Sequence, residues 1–259
     1  SHDGALSRVS LDKKVGMIIA MPRRQIVQTR TCFNLEKCIV QLPPFSIQRE
    51  IASVLLRVTE QIERTEALIA KQERFRAGLL KELFTRGVDQ NGALRPPREE
   101  APDLYHQTEL GWLPKGWELK TIEQLFKVGA VIEIQDGNHG ELHPRTEDFV
   151  RDGIAFVMAN DLSCGSVIIE KCNKIPLSIY RSLRIGFAKA GDILLSHKGT
   201  VGRVARLPLD APEVMLTPQV TYYRTNESFL DADFLYAYMN SELYQVQLAR
   251  VSAQSTRAY

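Results

Sequence analysis

The sequence predicts an α+β protein, one long helix joined to a domain with a mixed or antiparallel sheet. Two observations carry this. Ser46 to Val88 hold an apolar pattern with a period near 3.5 and no interior proline. From Thr108 onward, short β-branched and aromatic runs alternate with glycine turns.

The helix is the clearer element. Ile51, Leu55, Val58, Ile62, Thr65, Ile69, Gln72, Arg76, Leu79 and Leu83 fall on one seam, at alternating steps of four and three. Arg57, Glu60, Glu63, Arg64, Glu66, Lys71, Glu73 and Arg74 flank it. Pro43 and Pro44 mark the entry, because proline disfavours helix in the residue before it. Ser46 is the expected N-cap, with Glu50 facing the helix dipole. Arg86 and Gly87 mark the stop. A helix of about 40 residues is on the order of 60 Å long. Such a rod suits a spacer that pairs lengthwise with a second helix; packing on its own domain is the other reading. The polar positions Thr65, Gln72 and Arg76 cost stability but fix register.

Length and composition set wide bounds. The chain has 259 residues, 44% hydrophobic and 25% charged, with a net charge of +2. These values suit a soluble protein of one or two domains. The charge balance neither announces nor excludes nucleic acid, since local patches matter more than the sum. No apolar run approaches the roughly 18 residues of a membrane span, and no signal peptide is visible. Cys32, Cys38, Cys164 and Cys172 form no CxxC pair, so reduced thiols and a cytoplasmic location are expected.

Four segments follow. Residues 3–44 read as strands and turns, at Val15 to Met21 and Thr31 to Leu42, too little for a core of their own. Residues 45–88 are the helix. Residues 89–107, rich in proline and charge, read as a linker. Residues 108–259 form the α+β domain. Its expected strands are Ile154 to Met158, Val167 to Ile169, Ile193 to Ser196, Arg203 to Leu207 and Gln219 to Arg224. Glu118 to Lys127 reads as a strand then a short helix. Tyr180 to Ile185 and Ala232 to Val246 read as helices, the second with Phe234, Leu235, Tyr238, Met239 and Leu243 on one face. Gly191-Asp192 and Gly199 to Gly202 are tight turns.

The segment from Gly191 to Arg203 is the most informative chemically. A strand delivers Ser196, His197 and Lys198 to a glycine turn, and Arg203 follows. Cations on a rigid turn suit phosphate contact or guanine readout, although an ordinary charged hairpin would read the same. Lys198-Gly-Thr lacks the glycine loop of a Walker A motif. The C-terminal run Ser252 to Tyr259 reads either as a DNA-facing loop or as a frayed end. A metal-dependent nuclease is the competing class, since Asp103, Glu118 and Lys120 match a loose PD…ExK pattern. Asp103, however, sits in the proline-rich segment. His139 and His143 are four apart but include Gly140 and do not follow the HExxH order.

Several stretches together resemble the specificity subunits of Type I restriction-modification systems. Leu42-Pro-Pro-Phe-Ser-Ile-Gln48 is similar to the entry of that family's spacer helix. Lys81-Glu-Leu-Phe-Thr-Arg-Gly87 is similar to its exit. Glu109 to Trp117 resembles the opening of a target recognition domain. Gly191-Asp-Ile-Leu-Leu-Ser196 and Lys198-Gly-Thr-Val-Gly202 resemble its core, and Ser255-Thr-Arg257 its late loop.

The resemblance implies a non-catalytic subunit that reads double-stranded DNA. It implies two recognition domains held apart by paired helices, and modification and restriction subunits as partners. S-adenosylmethionine, magnesium and ATP are then expected on those partners, with no cofactor on this chain. Lys198, Thr200, Arg203, Ser255, Thr256 and Arg257 are the candidate DNA contacts, with Gln219 and Asn160 as candidate readers of base edges. Ile51, Leu55, Val58, Ile62, Ile69, Leu79 and Leu83 are the candidate partner-helix face. The chain departs from the family in holding one spacer helix and one full domain. It is read as a fragment, or as a half-subunit that forms a homodimer with residues 3–44 completing 108–259 in permuted order. A coiled-coil adaptor without a DNA role is a third reading.

Overall fold

The computed structural model describes residues 38–139 and 143–255. The chain divides into two units, 1–65 and 66–259. In the first, residues 38–44 carry no regular structure, so the strand expected to run to Leu42 is absent from 38 on. Its earlier part, and Val15 to Met21, lie outside the described residues.

Helix α1 runs from Phe45 to Thr85, 41 residues without a break. Ser46 lies inside it and is not the cap. Pro44 takes that place, its carbonyl accepting from Gln48 N at 3.0 Å. The Gln48 side chain turns back to the Pro43 carbonyl at 2.7 Å, and the first turn holds no acid. At the far end Gly87 N donates to the Leu83 carbonyl at 3.0 Å, with Gly87 at φ +66°. That bond and that left-handed glycine close the helix as expected, although it ends at Thr85 rather than Val88. A Cβ on Gly87 would lie 2.6 Å from the Trp117 ring. Phe84 is buried, edge-on to Phe234 and Tyr238 at 5.5 and 5.3 Å.

The segment 89–107 is not only a linker. Asp89 organises a turn by accepting from Asn91 and Ala93, and Val88 bridges Leu94. Strand β1 (Tyr105–Thr108) then pairs with β2 (Gly111–Pro114) as an antiparallel hairpin. The Tyr105 hydroxyl ties the hairpin back to the Pro96 carbonyl at 2.6 Å. No strand forms at Glu118. Helix α2 (Ile122–Lys127) follows, capped reciprocally by Thr121 and Gln124.

The domain core is two sheets face to face. The six-stranded sheet has the order β3 (Val131–Asp136), β12 (Val220–Thr225), β9 (Ile193–Ser196), β10 (Val204–Arg206), β6 (Ser166–Val167), β5 (Leu162–Ser163). The four-stranded sheet has the order β7 (Asn173–Ile175), β4 (Ile154–Val157), β11 (Val214–Leu216), β8 (Phe187–Ala188). Each sheet mixes antiparallel pairs with one parallel pair, β10–β6 and β11–β4.

The period of two sorts the residues between layers. Leu194, Ala205, Val220 and Tyr222 meet Ala155, Val157, Val214 and Leu216 between the sheets. Ile193, Leu195 and Val204 face the other way, onto helix α4 (Ala232–Met239) through Ala232, Leu235 and Met239. Phe156 and Met215 face outward from the smaller sheet, beside Ile175 and Leu183 at the end of helix α3 (Leu177–Ser182). Strand β9 is therefore buried along its whole length.

Three further expectations are corrected. The single helix Ala232 to Val246 is two, because Asn240 and Ser241 end α4 and helix α5 starts at Glu242 and runs to Ser255. Asn240 Nδ2 and Ser241 Oγ donate to the Tyr236 and Tyr238 carbonyls, satisfying the last turn of α4. The helix expected from Tyr180 to Ile185 lies at Leu177–Ser182, starting right after Pro176. At Val167 to Ile169 the strand stops at Val167, and a 3-10 turn takes over at Ile169.

A buried ion-pair network fixes the edge of this core. The Asp192 side chain is 1% exposed and accepts two bonds from Arg224, at 2.8 and 2.7 Å. Arg224 also pairs with Glu133 and lies over the Tyr222 ring at 4.9 Å. Asp192→Ala leaves the Arg224 charge without its best partner, and about 3–5 kcal/mol of stability should be lost in a urea melt. Phe84→Ala should cost about 3 kcal/mol in the same measurement. Burial first, then Asp161, pushes the Cys172 thiol up to about 12, while Cys164 and Cys38 are exposed. A thiol reagent at pH 8 should therefore label Cys38 and Cys164 and spare Cys172.

Candidate nucleic-acid interface

The loop between β9 and β10 is built by one hydroxyl. Ser196, fully buried, donates from Oγ to the Thr200 carbonyl and accepts from Arg203 N at 3.0 Å. Ser196 N donates to the Arg203 carbonyl at 2.9 Å, and Gly202 N returns to the Ser196 carbonyl at 2.9 Å. Gly199 and Gly202 have φ of +74° and +92°, which only glycine adopts without strain. The result is a closed turn with Lys198, Gly199 and Thr200 exposed at its tip.

Three other segments gather around this turn. The 217–219 turn touches it through Gln219, whose carbonyl accepts from His197 N at 2.9 Å. A Cβ on Gly199 would lie 3.8 Å from the Gln219 amide nitrogen. The end of β4 reaches it through Arg203, whose Nη1 donates to the Ala159 and Asn160 carbonyls at 3.3 and 3.4 Å. The end of β3 reaches it through Asp136, which accepts from Thr221 Oγ1; that oxygen also meets His197 Nδ1 at 2.9 Å. Beyond Asp136, Gly137 N and Asn138 N bind the Val220 and Leu216 carbonyls, at 2.8 Å each. Loops from both sheets thus meet at one end of the domain. A fourth contact comes from α5. Gln245 Nε2 donates to the Gly202 carbonyl at 3.0 Å and to the Met239 carbonyl at 2.7 Å.

Of the residues singled out in the sequence, the structure brings Lys198, Thr200, Arg203, Gln219 and Asn160 to this one cluster. Arg203 is half-buried and spends hydrogen bonds on the Ala159–Asn160 backbone, so it positions Asn160 as well as carrying charge. Ser255 is not in a loop. It closes α5, ten residues and about 15 Å along the axis from Gln245. Thr256 and Arg257 lie outside the described residues. His197, Thr221, Asp136 and Gln245 were missed. Only His197 had a signal, its place between Ser196 and Lys198. The others reach the cluster from strands and a helix remote in sequence.

Glu118 is paired with Lys120, which lowers the Glu118 pKa, and Asp103 lies in an exposed 3-10 turn. Among the described residues no group of three or more His, Cys, Asp or Glu could hold a metal ion. His143 rests against the Phe156 ring at 5.6 Å, and His139 is exposed. Among the described residues no helix is long and apolar enough to cross a membrane.

Comparison with known proteins gives consistent relatives. No family model matches the chain. The specificity subunit of the Type I restriction enzyme MjaVIII of Methanocaldococcus jannaschii is 21% identical over 229 residues, 86% of this chain and 49% of that protein. The EcoBI specificity subunit of Escherichia coli is 22% identical over 232 residues, 86% of this chain and 46% of that protein. The crystal structure of the HsdS subunit from Thermoanaerobacter tengcongensis overlaps 80% of this chain and 43% of its own, at 18% identity and a TM-score of 0.40. A structure concerned with assembly of the type I R-M system overlaps 89% and 49%, at 16% identity and the same score. The chain spans about half the length of the curated relatives it matches, and over that length it is similar to the specificity subunits of Type I restriction enzymes.

Proposed function

We propose that this chain reads one half of a bipartite DNA target for a Type I restriction-modification enzyme and carries no catalytic step itself. The observation that carries the reading is the extent of the similarity. It runs over 86% of the chain, so it must take in helix and domain together. The loop cluster supports it from the chemical side. Lys198 offers a cation to phosphate, and Gln219 and Asn160 offer amides of the kind that read adenine. Modification and restriction subunits are the partners of this proposal, and S-adenosylmethionine, magnesium and ATP belong to them.

The long helix takes the scaffolding role. Its seam residues Ile51, Leu55, Val58, Ile62, Ile69 and Leu79 are each about half exposed in the single chain, while Leu83 is partly buried. A run of half-exposed aliphatic side chains at a/d spacing fits a second helix. In a homodimer two such helices lie antiparallel and place two reading domains symmetrically. Closure of the domain by residues 3–44 belongs to the same proposal.

Two measurements test it. The chain assembled with its modification subunits should bind duplex DNA in fluorescence anisotropy, with log K falling steeply with log salt. Lys198→Ala should reduce that slope by about one and weaken binding across sequences alike; an unchanged slope removes Lys198 from the interface. Light scattering at micromolar concentration should give a dimer, and Ile62→Glu with Ile69→Glu should convert it to a monomer. A wild-type monomer would sink the half-subunit assembly.

A further inference from the structure

We infer that His197 is a specificity-determining contact: held by Thr221 and Asp136, it offers an acceptor nitrogen to the exocyclic amino group of an adenine or cytosine. The inference rests on the DNA-reading proposal and names one reader within it.

The donor and acceptor roles follow from the protons available. The Thr221 hydroxyl has one hydrogen. It lies 2.5 Å from an Asp136 carboxylate oxygen and 2.9 Å from His197 Nδ1. An ionised carboxylate only accepts, so the Thr221 hydrogen goes to Asp136. The hydroxyl oxygen is then left as the acceptor, which assigns His197 Nδ1 as the donor in this inference; the competing tautomer has Nε2 donating to the Pro218 carbonyl. A neutral ring with its proton on Nδ1 keeps a lone pair on Nε2, so Nε2 is an acceptor.

The surroundings favour the neutral ring. Burial, first, and Lys198 push the His197 pKa down; Asp136 and the Pro218 carbonyl pull it up, and the net shift is downward. The placement is equally suggestive. His197 is half-buried at the root of the exposed tip, one residue from Lys198, and its backbone holds the turn that carries Gln219. Asp136, exposed at the end of β3, puts a negative charge beside it. A carboxylate next to an acceptor nitrogen repels phosphate and suits an amino donor. In the major groove those donors are adenine N6 and cytosine N4. Thr221 and Asp136 are then positioning residues, acting through the tautomer they enforce.

The test uses the full chain assembled with its modification subunits and a pool of duplexes randomised over the half-site. His197→Ala should lower the preference at one base pair by tenfold or more and leave the other positions unchanged. Thr221→Val, which keeps the shape and removes the hydroxyl, should weaken the same position. Lys198→Ala should lower affinity for all sequences with the preferences intact. If the wild type selects a sequence and both His197→Ala and Thr221→Val select the same one, the inference is overturned and the DNA-reading proposal stands. A wild type that selects no sequence overturns both.

A second readout does not depend on binding. Imidazole ¹⁵N shifts of the full chain, with the His197 signal identified by its loss in His197→Gln, should report the Nδ1–H tautomer. An Nε2–H tautomer, with the Pro218 carbonyl as acceptor, would overturn the inference whatever the DNA results.

Discussion

Strand β9 has no solvent side. Its four residues are buried, and they face in turn a helix layer and a second sheet. A strand in that position cannot end in an arbitrary way, because its last polar groups would lie unpaired in a dry interior. Both ends show the answer. At the start, Asp192 accepts two bonds from Arg224 and one from Lys189 N at 2.8 Å. At the finish, the Ser196 hydroxyl satisfies two backbone groups of the turn. Gly191-Asp192 and Ser196 are thus structural residues first. The exposed tip from Lys198 to Thr200 is what they hold in place.

This has a consequence for how the cluster works. The tip does not rest on its own strand pair alone. Gln219, Arg203, His197 and Gln245 tie it to the 217–219 turn, to the end of β4, to β3 and to α5. Each tie is a single hydrogen bond or a short chain of them, worth on the order of 1 kcal/mol. Together they fix the spacing of Lys198, Gln219 and Asn160. In the proposed DNA-reading role such fixed spacing matters, since a bidentate contact tolerates little displacement.

The helix answers a different constraint. A helix of 41 residues cannot be explained by propensity alone, since most helical stability in proteins comes from packing an apolar face. In the second unit, Phe84 packs between Phe234 and Tyr238, and the chain turns at Gly87 against Trp117. Most of the remaining seam stays half exposed. A second helix is the natural complement to such a surface, which is why the domain and the helix belong to one functional proposal.

The sequence by itself determined the elements whose signals are local. The α1 seam, its proline entry and its glycine stop were legible because period, φ restriction and left-handed backbone are written in neighbouring residues. So were β9, the Gly199–Gly202 turn and the apolar face of α4. The order of motifs from Leu42 to Gly202 also pointed to the family. Other features waited for tertiary structure. Strands of two residues such as β5 and β8 carry no periodicity to read, and they exist because a neighbouring strand accepts their hydrogen bonds. The break at Asn240-Ser241 has no proline or glycine to announce it; it depends on those side chains turning back to cap α4. The meeting of Asp136, His197 and Thr221 depends on β3 and β9 both flanking β12, which brings Asp136 and His197 to Thr221 from 85 and 24 residues away in the chain. Local residues decided which pieces form, and the burial of two sheets against each other decided which side chains met.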